Sequence, residues 1–315
     1  MPFVAAALAV GVGVAAAFAK AELERRFSRP EPEVSRSKLE RLTLHQLELA
    51  IALLQGRGEV SAERTVHETR KALKRARALV RLQQSALGRK RFRRINATLR
   101  QAGRRLAGAR DAEVIVDTLD GLIARHPKPL ARSAGVVRLR TLLLAERERA
   151  QARMGHGAHP REVVLSELRA VALELERWEP SQSDSKTARL GLRHIYRQGR
   201  LRGARARKAD SSPALHAWRK RVKDLRYAAE ALELRKVAKR ADRLGETIGE
   251  EHDLWLLAQR LRRHRKCFSG DRAAAKQLRK LIAQRRRRLR KRAFGLGREL
   301  YRQPPKRFVR RHLAG

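Results

Sequence analysis

The stretch Leu215-His216-Ala217-Trp218-Arg219-Lys220-Arg221-Val222-Lys223-Asp224-Leu225-Arg226-Tyr227 decides the fold class, because its bases recur with a helical period. His216, Arg219, Lys220, Lys223 and Arg226 stand at offsets 0, 3, 4, 7 and 10. At roughly 100° per residue these positions share one side of an α-helix. Val222, Leu225, Ala228 and Ala229 fall on the other side. An earlier segment repeats the pattern: His67, Arg70, Lys71, Lys74 and Arg77 at the same offsets, with Val66, Leu73, Ala76, Leu79 and Val80 opposite. Each segment predicts an amphipathic helix whose basic stripe faces away from a core. Two such stripes point to two halves that present cations to a shared polyanion.

The whole composition agrees with a polyanionic partner. Formal net charge is +44, from 76 Lys+Arg against 32 Asp+Glu. Such self-repulsion opposes compaction unless counter-ions or a polyanion offset it. Nucleic acid, an anionic membrane surface and inorganic polyphosphate are the candidates. Aromatics are only 4%, whereas proteins that hold single-stranded nucleic acid stack bases on aromatic side chains. Trp178, Trp218, Trp255, Tyr196, Tyr227 and Tyr301 are scattered over helix-like stretches. That favours a ligand with phosphates and no bases. The one cysteine, Cys267, excludes an internal disulfide framework and fits a reducing compartment.

Residues 1–37 read as an apolar segment followed by a linker. Phe3 to Ala19 carries no charge and is rich in Ala, Val and Gly, at the short edge of what a membrane span needs. No Lys or Arg precedes it, as a signal peptide would require. A buried or loosely attached helix is the favoured reading; a membrane anchor and a cleaved signal are the alternatives. Ser28 to Ser37 has the Pro and Ser content of a linker.

From Lys38 on, nearly every long stretch has a 3.6-residue period, and alternating Val/Ile/Thr strands are absent, so the prediction is all-α. Breaks are expected at Gln55–Gly58, Gly88, His126–Pro129, Gly155–Pro160 and Pro180–Lys186, then at Gly199–Pro213, Gly245–Gly249 and Ser269–Gly270. The break at Glu179–Lys186 divides the helical region into halves, 38–178 and 187–312. Each half follows its stripe with a second matching element, Arg110-Asp111 in the first and His252-Asp253 in the second. An internal duplication of four-helix bundles accounts for this.

These motifs resemble the CHAD family of histidine-containing α-helical domains. His67-Glu68-Thr69-Arg70-Lys71-Ala72-Leu73-Lys74-Arg75-Ala76-Arg77 resembles the family's first histidine element, with Lys74 in place of an arginine. Residues 215–227 closely resemble the second. Arg110-Asp111 resembles the R-D element, and Leu190–Arg200 the stretch that opens the second half. Asp253 fits the later L-G-x-x-x-D position, where His252 departs from the commoner Asn. The resemblance covers roughly 38 to 312. It implies two four-helix bundles with pseudo-two-fold symmetry around a basic groove, and binding of inorganic polyphosphate. Some family members are joined to a triphosphate-processing domain whose acidic tunnel strands this chain lacks.

The candidate polyphosphate-binding residues are therefore His67, Arg70, Lys71, Lys74, Arg77 and Arg110 from the first half. The second half supplies Arg193, Arg197, Arg200, His216, Arg219, Lys220, Lys223 and Arg226. Arg193, Arg197 and Arg200 share a helical face and extend the groove. Both stripes lack acidic partners one turn away on their own face, so repulsion would destabilise them without an anion. A bound phosphate would raise the pKa of His67 and His216 by opposite-charge attraction, giving tighter binding as pH falls through about 6.5. Asp111 and Asp253 are expected to orient stripe arginines. The bland reading of each stripe is a solvated helix face, and of each histidine a helix-start residue bonded to a carbonyl.

The run Arg285–Arg292 places bases on every face of its helix, so some of them read as plain solvated surface or as a non-specific nucleic-acid or membrane contact. His156-Gly157-Ala158-His159 has no further ligand at metal-binding spacing. No phosphate loop, nucleophile elbow or zinc motif occurs, so no catalytic residue, metal or cofactor is expected. The expected activity is non-enzymatic binding. The alternatives are non-specific nucleic-acid compaction, or service as accessory subunit of a triphosphate-processing enzyme. The expected location is cytoplasmic, with polyphosphate granules as the associated structure. Membrane contact through residues 3–19 is the less favoured alternative.

Overall fold

Ser37 starts the first described helix: its hydroxyl accepts the Glu40 amide at 3.2 Å, satisfying one donor that a helix start leaves bare. The structure, a computed structural model, describes residues 37–56, 62–106, 110–155, 158–180 and 182–313. The helices are α1 (Lys38–Leu54), α2 (Ala62–Leu82), α3 (Gln84–Leu87), α4 (Arg89–Arg105), α5 (Arg110–Arg125), α6 (Pro127–Leu130) and α7 (Ala134–Gly155). They continue with α8 (Ala158–Glu176), α9 (Asp184–Ala209), α10 (Ser212–Ala231), α11 (Arg235–Arg263), α12 (Arg272–Leu300) and α13 (Pro305–His312). The chain is all-α, with no strand among the described residues. Within the same residues no helix is long and apolar enough to cross a membrane. The apolar run 3–19 lies outside them.

Two compact units form, and they do not follow the sequence halves drawn above. The first comprises α1 to α4 and α8; the second comprises α5 to α7 and the chain from Ala188 onward. In the first, Leu47, Leu73, Ile95, Leu99 and Leu168 meet in one core of four long helices. Each fully buried leucine there contributes roughly 1.5–3 kcal/mol. Gln83 fastens α2 to α1 by donating to Thr43 Oγ1 at 2.7 Å and to the Leu39 carbonyl at 3.2 Å.

Residues 107–158 belong to the second unit because of where α5 and α7 find apolar partners. Ile115, Leu119, Leu139 and Leu143 pack with Leu254 and Leu257 of α11 and with Leu278 and Ile282 of α12. Proximity in sequence to α4 did not decide their placement; a matching apolar face did.

The expected break at Gly245–Gly249 is continuous helix, and the one at Gly199–Pro213 is confined to Asp210 and Ser211. Gly199 and Gly203 lie inside α9, and Gly245 and Gly249 inside α11. Their role is close approach. A Cβ at Gly203 would stand 2.9 Å from the Trp218 ring, and one at Gly249 would stand 2.8 Å from Arg219 Nη2.

The arginine run of α12 is also less solvated than its composition implied. Arg285 pairs with Glu250 at 2.6 Å, while Arg286 and Arg290 both reach Glu251 at 3.0 Å. Glu251 is 1% exposed. Ser212 donates to the same carboxylate oxygen at 2.9 Å, so the network ties the start of α10 to α11 and α12. Removing one member of a buried ion-pair cluster strands the rest in a medium that solvates them poorly. Glu251→Ala should therefore lower the unfolding free energy by about 3 kcal/mol. Arg287→Ala, on the exposed side of the same run, should change it by less than about 0.5 kcal/mol. Denaturant titration of both variants checks the difference.

Candidate functional site

Helix α10 carries the second stripe, and its ends are written in the local sequence. Ser211 caps it by accepting the Ala214 amide at 3.4 Å, and Pro213 sits in the first turn, where no amide is needed. Glu233, at φ 59°, turns the chain out of the helix. Val222, Leu225, Ala228 and Ala229 are fully buried. Lys220 is exposed; His216, Arg219, Lys223 and Arg226 are half-buried at the margin. The stripe thus lies off the core as its period predicts.

Its arginines are held. Arg219 donates from Nε to the Gly245 carbonyl at 3.1 Å. Its guanidinium rests in the notch that Gly249 leaves. Arg226 donates to Glu230 at 2.8 Å, pairs with Asp242 and lies 5.5 Å over the Tyr227 ring. The expectation that the stripes lack acidic partners one turn away is therefore corrected: Glu230 is such a partner. In α2, Glu68 is another, 3.3 Å from Lys71 and 3.8 Å from His67. Glu68 and Glu230 stand on the stripes' own helices, and Arg226 is long enough to reach Asp242 on the next helix as well.

His216 stacks on His252 of α11 with centroids 4.1 Å apart, and His252 stacks in turn on Trp255 at 5.5 Å. His216 Nδ1 is buried and makes no hydrogen bond to a described residue. Burial, then the fields of His252, Lys220, Arg219 and Lys223, push its pKa down to about 4. Without ligand the imidazole is neutral across the range where an ordinary histidine titrates.

A cavity of about 490 Å³ opens beside this helix. Arg219 and Asp253 both line it, with Arg125, Arg243 and Arg292 as further cations and Asp117, Glu246 and Glu250 as further carboxylates. The structure thus brings Asp253 and a stripe arginine to one cavity. Its lining carries both signs of charge in equal number.

The first stripe, on α2, lies in the other unit. Lys74 is exposed, and His67, Arg70, Lys71 and Arg77 are half-buried. Arg77 donates to Asn96 of α4 at 3.3 Å. Arg70 Nη1 is buried with no hydrogen-bond partner among the described residues. Arg193, Arg197 and Arg200 are exposed on α9. Arg200 donates to the Gln303 carbonyl at 3.5 Å, and Arg193 lines a second cavity, away from Arg219. Arg110 and Asp111 open α5; their side chains, and those of His156 and His159, lie outside the described ones.

Over residues 44–262, spanning both motif helices, the sequence matches the family model of the CHAD domain. The chain belongs to the CHAD family. The crystal structure of the CHAD domain from the plant Ricinus communis is similar to it, at 20% sequence identity and a TM-score of 0.49, covering 88% of this chain and 89% of that one. No curated protein sequence matches.

Within this CHAD chain, sequence reasoning missed Arg125, Arg243 and Arg292, which reach the Arg219 cavity from three other helices. No local spacing announces such a meeting. The glycine notch was legible in principle. Gly245 and Gly249 are one turn apart, so they share a face and signal close approach rather than a break.

The depressed pKa of His216 has a consequence for stability. Its folded value, about 4, lies below the ordinary value near 6.5, so the unfolded chain takes the proton first as pH falls. The stability that the neutral ring contributes is complete above about pH 6.5 and is lost progressively toward pH 4. His216→Gln should lose less stability than the parent between pH 7 and pH 5. Chemical denaturation at the two pH values measures it, and equal losses would show that the ring does not titrate as described.

Proposed function

We propose that this CHAD protein binds inorganic polyphosphate through its two motif helices, as a binding protein and not an enzyme. The observation that supports the reading most directly is the cluster on α10. His216, Arg219, Lys220 and Lys223 lie near enough together that all three cations act on the one imidazole. Four residues of a family motif thus make a concentrated positive field on a helix whose other face is core. From His216 to Arg226 the stripe is about 15 Å long at 1.5 Å per residue, which suits consecutive phosphates of a chain. Arginine and lysine stay charged at all physiological pH values, and neither requires a base to stack on.

The motif helix α2 repeats the arrangement, and we attribute both to duplication of one ancestral unit. Acids partly neutralise both stripes, Glu68 on α2 and Glu230 with Asp242 at the Arg226 end of α10, so the cluster His216 to Lys223 is the least neutralised part of the second stripe. Phosphates seated on α10 would offset the field of the neighbouring cations at His216 and raise its pKa from about 4, so binding takes up protons in the interval between that value and the higher one of the bound state.

Arg219→Glu combined with Lys223→Glu should abolish polyphosphate binding while leaving the helical circular dichroism intact. Both side chains sit at the margin of the helix, outside its buried face. Loss of helix, or unchanged binding, contradicts the reading. DNA at matched phosphate concentration serves as competitor: equal displacement by DNA and polyphosphate would favour a general polyanion surface instead.

Many simultaneous phosphate contacts release many counter-ions, so log affinity for polyphosphate should fall steeply with log salt. Titration between about 50 mM and 200 mM salt measures the slope. A flat response is incompatible with a stripe engaged along its length.

A further inference from the structure

The second cavity of the second unit, between the start of α9 and α13, differs in kind from the one beside Arg219. Its volume is about 460 Å³, within the range of small-molecule sites. Arg189 and Arg193 line it from α9, and Lys306, Arg307 and Arg310 from α13. Leu190, Pro304 and Val309 complete the wall. No carboxylate lines it. The Arg219 cavity sets carboxylates against its arginines; this one gathers five cations with nothing of opposite sign.

The cations are held together by a rigid scaffold. Tyr196 of α9 donates to the Leu300 carbonyl at 3.2 Å and to the Gln303 carbonyl at 3.1 Å. Phe308 stacks on Tyr196 with centroids 3.9 Å apart, and Tyr301 tilts against the same ring at 5.1 Å. Phe308 and Val309 are buried at 4% and 5% exposure. The short helix α13 is therefore clamped to α9 by an aromatic cluster, and its basic side is fixed facing Arg189 and Arg193. The two helices are fixed, so their five exposed cations stay gathered on one small surface, where like charges repel one another.

We propose that this cavity is a separate binding site for a compact, multiply charged phosphate anion, an oligophosphate or a small molecule with clustered phosphate groups. Three of its five cations, Lys306, Arg307 and Arg310, lie beyond the residues 44–262 that match the family. The site does not depend on polyphosphate binding by the motif helices. Arginine's planar fork holds phosphate oxygens in pairs, and four arginines and a lysine around one space suit an anion with at least three negative charges.

The test uses inorganic tripolyphosphate as probe with the full chain, by titration calorimetry and by backbone amide exchange. The parent should bind it with slowed exchange over residues 304–312. Arg307→Glu combined with Arg310→Glu should weaken tripolyphosphate binding about tenfold or more, since each lost charge-assisted contact is worth about that factor. Both arginines are exposed. Arg307→Gln with Arg310→Gln provides the same test without charge reversal should the first pair disturb α13, and should also weaken binding. Arg219→Glu with Lys223→Glu should leave the slowed exchange over residues 304–312 unchanged. Unaltered affinity in both α13 variants, or exchange slowed at residues 216–226 and not at 304–312, overturns the site. Failure of long-chain polyphosphate to bind at all would instead overturn the function proposed for the stripes.

Discussion

Repulsion among 76 basic side chains is the constraint under which this fold holds together, and the positions of the 32 acids decide how it is met. A carboxylate set between helices removes repulsion where helices must approach. Glu251, with Arg286, Arg290 and Ser212 around it, does this at the junction of α10, α11 and α12. Glu174 holds Arg91 at 3.2 Å and Arg94 beside it, and Glu167 holds Arg105 at 2.5 Å, fastening α8 to α4. Glu146 holds Arg260 and His264, both at 3.0 Å, fastening α7 to the end of α11. The acids are therefore concentrated at helix junctions. Other surfaces are left cationic, and the exposed side of α9 with Arg193 and Arg197 is one of them.

This distribution explains what the sequence discloses and what it conceals. Periodicity finds the helix class, both motif helices and the side of each that faces the core, because those properties are local. Val222, Leu225 and Ala228 are buried where their spacing puts them. Ion pairs are not local. Arg226 and Asp242 are on different helices, as are Arg290 and Glu251, so the arginine run of α12 reads as solvated until its partners are known. The placement of α5 and α7 with the second unit is concealed for the same reason: an apolar stripe shows that a helix must be covered but not by which partner.

Glycine shows the limit from the other side. Its low helix propensity suggested breaks at Gly199–Pro213 and Gly245–Gly249. Tertiary packing overrides that preference by about 1 kcal/mol per glycine when a large group fills the space a Cβ would take. Trp218, 2% exposed, lies against Gly203, and Arg219 lies over Gly249. The two consecutive residues of one motif are thus seated by glycines of two different helices. Trp218 locks α10 against α9, and the next residue is delivered to the cavity.

That delivery gives the stripe its character. A lysine or arginine on a freely solvated helix loses much of its field to water and salt. Arg219 is fixed by the Gly245 carbonyl, and His216 is pressed between its own helix and His252, with a buried Nδ1. Cations held this way keep their direction and part of their field, and the neighbouring imidazole is kept neutral by its burial first and by their field second. An anion carrying a single charge offsets only part of such a field. In the function proposed here a chain of linked phosphates meets several of the cations at once, so that the motif's spacing, and not its charge alone, would select a polyanion.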